Sequence, residues 1–108
     1  MHIQFVEWEP FSRKLARIAT DEEFQKLQSE LRANPEKGDV IPGAGGARKV
    51  RMAVGQRGKS GGARVIYYLR VSRDRIIFLD IFGKGEKADL TPQEKEAIAR
   101  AIRAQKGM

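Results

Sequence analysis

The chain of 108 residues contains no cysteine and one histidine, His2. The first absence excludes disulfides and thiolate metal sites and fits a reducing compartment. The second leaves no imidazole cluster for a metal, so no cofactor is expected. No apolar run approaches the roughly 20 residues of a membrane span. Glu7 and Glu9 interrupt the N-terminal stretch where a signal peptide needs an unbroken apolar region. The expectation is a soluble cytoplasmic protein without membrane association. With no internal repeat or low-complexity tract, a chain of this length reads as one domain over 1–108.

Negative charge is scarce in one stretch only. Between Ala47 and Lys87, eleven Lys and Arg residues face three acids, Asp74, Asp80 and Glu86, for a local charge of +8. The other 67 residues carry ten cations and eleven anions, so the whole surplus of +7 sits in this segment. Like charge at that density repels itself, and the simplest reason to keep it is a polyanionic partner.

The charged segment reads as three strands. In the first, Lys49, Arg51 and Ala53 alternate with Val50, Met52 and Val54; in the second, Arg64, Ile66, Tyr68 and Arg70 alternate with Val65, Tyr67, Leu69 and Val71. In the third, Ile76, Phe78, Asp80 and Phe82 alternate with Ile77, Leu79 and Ile81. Period-two alternation places one wholly apolar face against a core and a mixed face opposite. The mixed faces are expected to gather Lys49, Arg51, Arg64 and Asp80. Ser72-Arg73-Asp74 is short enough for a hairpin turn, which makes the second and third strands antiparallel neighbours.

Flanking segments supply the helices. Ile3 to Val6 is a short strand candidate, after which Pro10 suits a first helical turn and Phe11, Leu15 and Ile18 form one apolar stripe. Thr20-Asp-Glu-Glu23 is a capping box opening a second helix, with Phe24, Leu27 and Leu31 as its buried stripe and Asn34-Pro35 as its stop. Glu36 to Ala47, rich in glycine, reads as a flexible connection. Thr91-Pro92-Gln93-Glu94 opens a last helix with Ile98, Ala101 and Ile102 on its stripe.

Three features bear on chemistry. Gly58-Lys59-Ser60 has the tail of a phosphate-binding loop, but Ala53 stands where its first glycine belongs, and a strand rather than a helix follows. The glycine-bracketed loop Gly55 to Gly62 carries Arg57 and Lys59, which either contact phosphates or are incidental cations of a hairpin loop. Lys49, Arg51 and Arg64 are the sharper signal: cations on one face of neighbouring strands form a phosphate site, unless their long side chains run out to the rim. Tyr68 shares the face of Arg64 and either stacks on a base or packs.

GARKVRMAVGQRGKSGGARVIYYLRV followed by RIIFLDIFGKGEKADLTPQEKEAI resembles the HigB branch of the RelE-like toxins of bacterial type II toxin–antitoxin pairs. The likeness is close from Gly46 to Ile102 and looser before it. It implies an α+β fold of the RelE/ParE type: a small antiparallel-dominated sheet backed by an N-terminal helical hairpin, with a C-terminal helix. It implies a ribosome-dependent mRNA endonuclease in which a ribose 2′-oxygen attacks the adjacent phosphate without a metal. Its catalytic positions match Lys49, Arg51, Arg64 and Lys84, with Arg48, Arg57, Lys59, Tyr68 and Lys87 as RNA-binding candidates. The implied partners are ribosome, mRNA and a cognate antitoxin, a helix-turn-helix protein of the HigA type.

Departures from the pattern are specific. Some relatives carry an arginine just after the lysine of the FGK turn, where this chain has Gly85. Some carry a tyrosine or histidine near the C-terminus, where it reads Asp89-Leu90-Thr91. The proton-transfer groups are therefore open, and Lys49 serves as a base only if neighbouring cations lower its pKa. A non-catalytic RNA- or ribosome-binding module and a ParE-like gyrase inhibitor are the competing readings. The basic loop and the Lys49/Arg51 pair favour RNA cleavage.

Overall fold

The computed structural model describes residues 2–55, 62–70, 72, 74–83, 85–86 and 89–106. In chain order these form β1 (Gln4–Glu7), α1 (Glu9–Ile18), α2 (Asp21–Ala33), β2 (Asp39–Val40), β3 (Arg48–Met52), β4 (Ala63–Arg70), β5 (Arg75–Phe82) and α3 (Pro92–Lys106). The strands make one open sheet in the order β1-β5-β4-β3-β2. β1 runs parallel to β5, and the other three pairings are antiparallel. The fold is α+β and antiparallel-dominated, as the family resemblance implied.

Helix boundaries follow from local chemistry. The Thr20 hydroxyl accepts the Glu23 N–H at 3.1 Å while the Glu23 carboxylate accepts the Thr20 N–H at 2.8 Å, so two orphan amides of α2 are met reciprocally. Thr91 and Glu94 repeat the arrangement ahead of α3, at 3.2 and 2.8 Å. α1 has no side-chain cap and relies on Pro10 in its first turn.

Two cores flank the sheet. On one face, α1 and α2 bury Phe11, Leu15, Phe24, Leu27 and Leu31 against Val50, Met52, Val65, Tyr67, Ile76, Phe78 and Ile81. Phe78 is its hub, with the rings of Phe24, Phe11 and Phe5 centred 4.9, 5.1 and 5.7 Å away. On the other face, α3 and the 41–47 segment close over Ile66, Ile77, Leu79 and Phe82 through Ile41, Ala44, Ala47, Leu90 and Ile102. The face read as mixed is therefore mostly covered, and Ala99 rather than Ala101 is the buried alanine of α3.

A bulge corrects the expected facing of β5. Ile66 lies opposite Asp80 but Tyr67 lies opposite Phe78, so Leu79 is an extra residue. Beyond it the alternation holds, with Ile81 toward the helical hairpin and Phe82 away. Before it the faces are exchanged: Ile76 and Phe78 meet the hairpin, and Ile77 and Leu79 meet α3. One inserted residue inverts the parity of everything on its far side.

The segment expected as a flexible connection is ordered. The buried Tyr67 hydroxyl donates to the Pro35 carbonyl at 2.8 Å and accepts the Gly38 N–H at 2.9 Å, which pins the exit of α2 to β4. A Cβ on Gly38 would stand 2.8 Å from the Tyr67 ring and 2.9 Å from the Lys49 carbonyl, so only glycine fits. β2 follows and pairs with the start of β3.

Candidate active site

The register of β3 and β4 assembles the cations. Arg51 lies directly opposite Arg64, and Lys49 opposite Ile66, all on one face because directly paired residues of an antiparallel ladder share a side. β2 adds Asp39, in register with Lys49. Lys37, Asp39, Lys49, Val50, Arg51 and Arg64 line a cleft of about 350 Å³ at the sheet edge. That is near the lower end of ligand-sized clefts, roughly 300–1,000 Å³.

Opposed like charges destabilise a strand pair. Arg51 and Arg64 are nevertheless held face to face on rigid strands, and Arg51 is exposed. Two guanidinium forks so placed, with Lys49 one row away, suit a phosphate: each offers paired N–H donors and a positive charge. Lys37, also on the rim, is salt-bridged to Glu30 at 2.7 Å.

The carboxylates around the cleft differ in their commitments. Asp89 lies 3.7 Å from the Lys49 ammonium, tying the segment before α3 to β3. The Leu90 N–H, at 2.8 Å, and then the charge of Lys49 hold its carboxyl below the ordinary aspartate range. Asp80, expected to sit with the cluster, is gripped by Lys14 of α1 at 2.8 Å and also accepts the Ile81 N–H. The Asp39 side chain forms no hydrogen bond or ion pair among the described residues.

Lys49, Arg51 and Arg64 are thus brought together. Arg48 is not: it has the parity of Val50, and its guanidinium donates to the Gly38 and Glu36 carbonyls at 2.8 and 3.2 Å. Tyr68 packs in the α3-side core, with its ring against Gly46. Lys84, Arg57, Lys59 and Lys87 lie outside the described residues. Lys37, Asp39 and Asp89 line or border the cleft without having been singled out from the sequence, since β2 is two residues long and shows no alternation to read.

Lys14, beside Asp80, also lies 5.6 Å from the Phe82 ring centroid. Glu23 of the α2 capping box accepts the N–H of Gly55, the residue that opens the basic loop. These two hydrogen bonds, the one to Thr20 first, hold the Glu23 carboxyl below its usual 4.5. A single side chain therefore links the helix start to the end of the cationic strand.

An open mixed sheet with a helical hairpin on one face and a single helix on the other defines a small α+β domain. The family model described as "RelE toxin of RelE / RelB toxin-antitoxin system" matches residues 11–106, and the chain belongs to that family. It is a RelE-like toxin of a toxin–antitoxin system. Among solved structures it is similar to a mutant of E. coli toxin RelE in the free state, with TM-score 0.63 and 16% identity over 94% of this chain and 98% of that one. It is also similar to the isolated E. coli RelE toxin, with TM-score 0.55 and 16% identity over 94% and 96%. A chain of the intact E. coli RelBE toxin-antitoxin complex gives 0.58 and 17% over 77% and 96%. At those identities the structures speak for the fold.

Proposed function

We propose that this toxin is a ribosome-dependent mRNA endonuclease that inhibits translation, and that a cognate antitoxin of the helix-turn-helix, HigA-like kind neutralises it. The observation that carries the reading is the cross-strand opposition of Arg51 and Arg64 beside Lys49, in a cleft one phosphate-bearing unit can enter. In the reaction the 2′-oxygen attacks the adjacent phosphorus and the bond to the 5′-oxygen breaks, leaving a 2′,3′-cyclic phosphate and a 5′-hydroxyl. Charge grows on the non-bridging oxygens along the way. Donors fixed in advance stabilise that charge without reorganising, and this is where Arg51 and Arg64 act.

Lys49 holds the neighbouring backbone, and Lys84 belongs to the same machinery through the family resemblance. Arg57, Lys59 and Lys87 extend the cationic track for the message. Arg48, bonded to the Gly38 carbonyl, and Tyr68, packed in the α3-side core, serve the scaffold in this reading. That RelE of E. coli is found as a RelBE toxin–antitoxin complex supports an antitoxin partner for this chain.

The test is to incubate programmed ribosomes with the purified toxin and map 5′ ends of the message. Wild type is expected to create new termini in the A-site codon. Arg51→Ala or Arg64→Ala should slow their appearance by about 100-fold or more, as loss of one preorganised donor does elsewhere. New termini at equal rates from wild type and the double variant would rule this site out.

A further inference from the structure

The cleft holds one acid that neither the resemblance nor the charge pattern points to. Asp39 stands on the edge strand β2 in direct register with Lys49, so its side chain is on the cationic face. It lines the same cleft as Arg51 and Arg64. An aspartate among Lys37, Lys49, Arg51 and Arg64 would be expected to close onto one of them. Instead its side chain makes no hydrogen bond or ion pair among the described residues, while the Lys49 ammonium turns to Asp89.

We propose that Asp39 is the general base of the cleavage reaction, accepting the proton of the attacking ribose 2′-hydroxyl. The inference rests on the nuclease reading above and supplies the proton acceptor that reading lacks. Arg51 and Arg64 fix the scissile phosphate two residues along β3 from the Lys49–Asp39 row, roughly 7 Å away along a strand. A nucleotide whose 3′-phosphate sits between the arginines then directs its 2′-hydroxyl back toward that row. The O2′–P bond forms as the O2′ proton passes to the Asp39 carboxylate, the P–O5′ bond breaks, and the leaving oxygen, on the opposite side of phosphorus, takes a proton from water.

Asp89 is the alternative acid, and its geometry counts against it. One of its oxygens accepts the Leu90 N–H and faces Lys49, and both interactions favour the bare carboxylate and so weaken it as a base. Asp39 has no such commitment. Its carboxylate lines the cleft with Arg51 and Arg64, where a bound ribose comes within reach.

Two roles for Asp39 predict opposite signs. If it only balanced charge, removing it would leave a more cationic cleft that binds message more tightly and cleaves at least as fast. A base predicts tighter or equal binding with a slower chemical step. The experiment compares Asp39→Asn with wild type in single-turnover cleavage of message on programmed ribosomes at saturating toxin, alongside toxin–ribosome affinity and thermal unfolding. Expected are a rate lower by about 100-fold or more, as for loss of a general base, with affinity equal or higher and an unchanged melting temperature. Asp39→Glu, which keeps a carboxylate, should recover part of the loss. Cleavage by Asp39→Asn at the wild-type rate would overturn the assignment, as would Asp39→Glu as slow as Asp39→Asn. Absence of new termini with the wild type itself would instead sink the nuclease reading.

Discussion

Replacing Tyr67 by Phe tests how the cleft is held. The substitution keeps the buried ring and removes one hydroxyl that donates to the Pro35 carbonyl and accepts from the Gly38 N–H. Gly38 is buried, so its N–H loses its partner with no ready access to water, at about 1–3 kcal/mol. The Pro35 carbonyl is half-buried and regains some solvent, so its lost bond adds about 1 kcal/mol. A total of about 2–4 kcal/mol corresponds to a fall in melting temperature of roughly 10 °C or more for a domain of this size. The turn carries Lys37 and Asp39 into the cleft, so message cleavage should fall with it.

A pH series separates the hydroxyl's contribution from general loosening. Burial, opposed in part by the Gly38 hydrogen bond, pushes the Tyr67 phenol above its ordinary 10.0. The folded protein then holds this proton where the unfolded chain releases it. Its stabilisation is complete below about pH 10 and is lost as pH rises through the folded value. Urea midpoints of wild type should decline on that alkaline side more steeply than those of Tyr67→Phe. A melting temperature of Tyr67→Phe within about 2 °C of wild type would refute the reasoning. It would mean that water reaches Gly38 unaided.

Other consequences are as direct. A Cβ on Gly45 would lie 2.8 Å from the Ala99 Cα and 3.1 Å from its Cβ, and Gly45 has φ +69°. Gly45→Ala should therefore cost about 2–5 kcal/mol in strain and overpacking. Gly43→Ala (φ +80°, with nothing within 4 Å) should cost only the backbone share of about 1–2 kcal/mol. Differential scanning calorimetry of the pair checks both. Glu23, whose carboxyl is lowered from 4.5, stabilises the fold fully above that value and loses the contribution as pH falls through its folded pKa. The gap in urea midpoint between wild type and Glu23→Gln should accordingly be wide at about pH 7 and narrow at about pH 3.

The legible parts of this protein are those whose physics is local. Thr20 with Glu23 and Thr91 with Glu94 announced their helices because a capping box needs nothing beyond four residues. The alternation over 49–52 and 64–69 assigned the faces of β3 and β4 correctly, and with them the company of Lys49, Arg51 and Arg64. The same rule misplaced Ile76 to Leu79, since the bulge exists only relative to β4 and a strand read alone shows no extra residue. The side of β3 that Arg48 takes was readable in principle, since it has the parity of Val50, opposite to that of Lys49 and Arg51. Asp80 was placed on the correct face, but its partner, Lys14, is 66 residues away and nothing local connects them.

The order of residues alone determined the caps, the strand periodicity, the confinement of positive charge to one segment and the family to which the chain belongs. All of these depend on neighbours in sequence. Tertiary structure decided which arginine faces which, that the glycine-rich 36–47 segment becomes an ordered wall bearing Asp39, and that a second core covers most of the cationic face. Those outcomes depend on strand register and on contacts between distant segments, where a shift of one residue exchanges inside for outside.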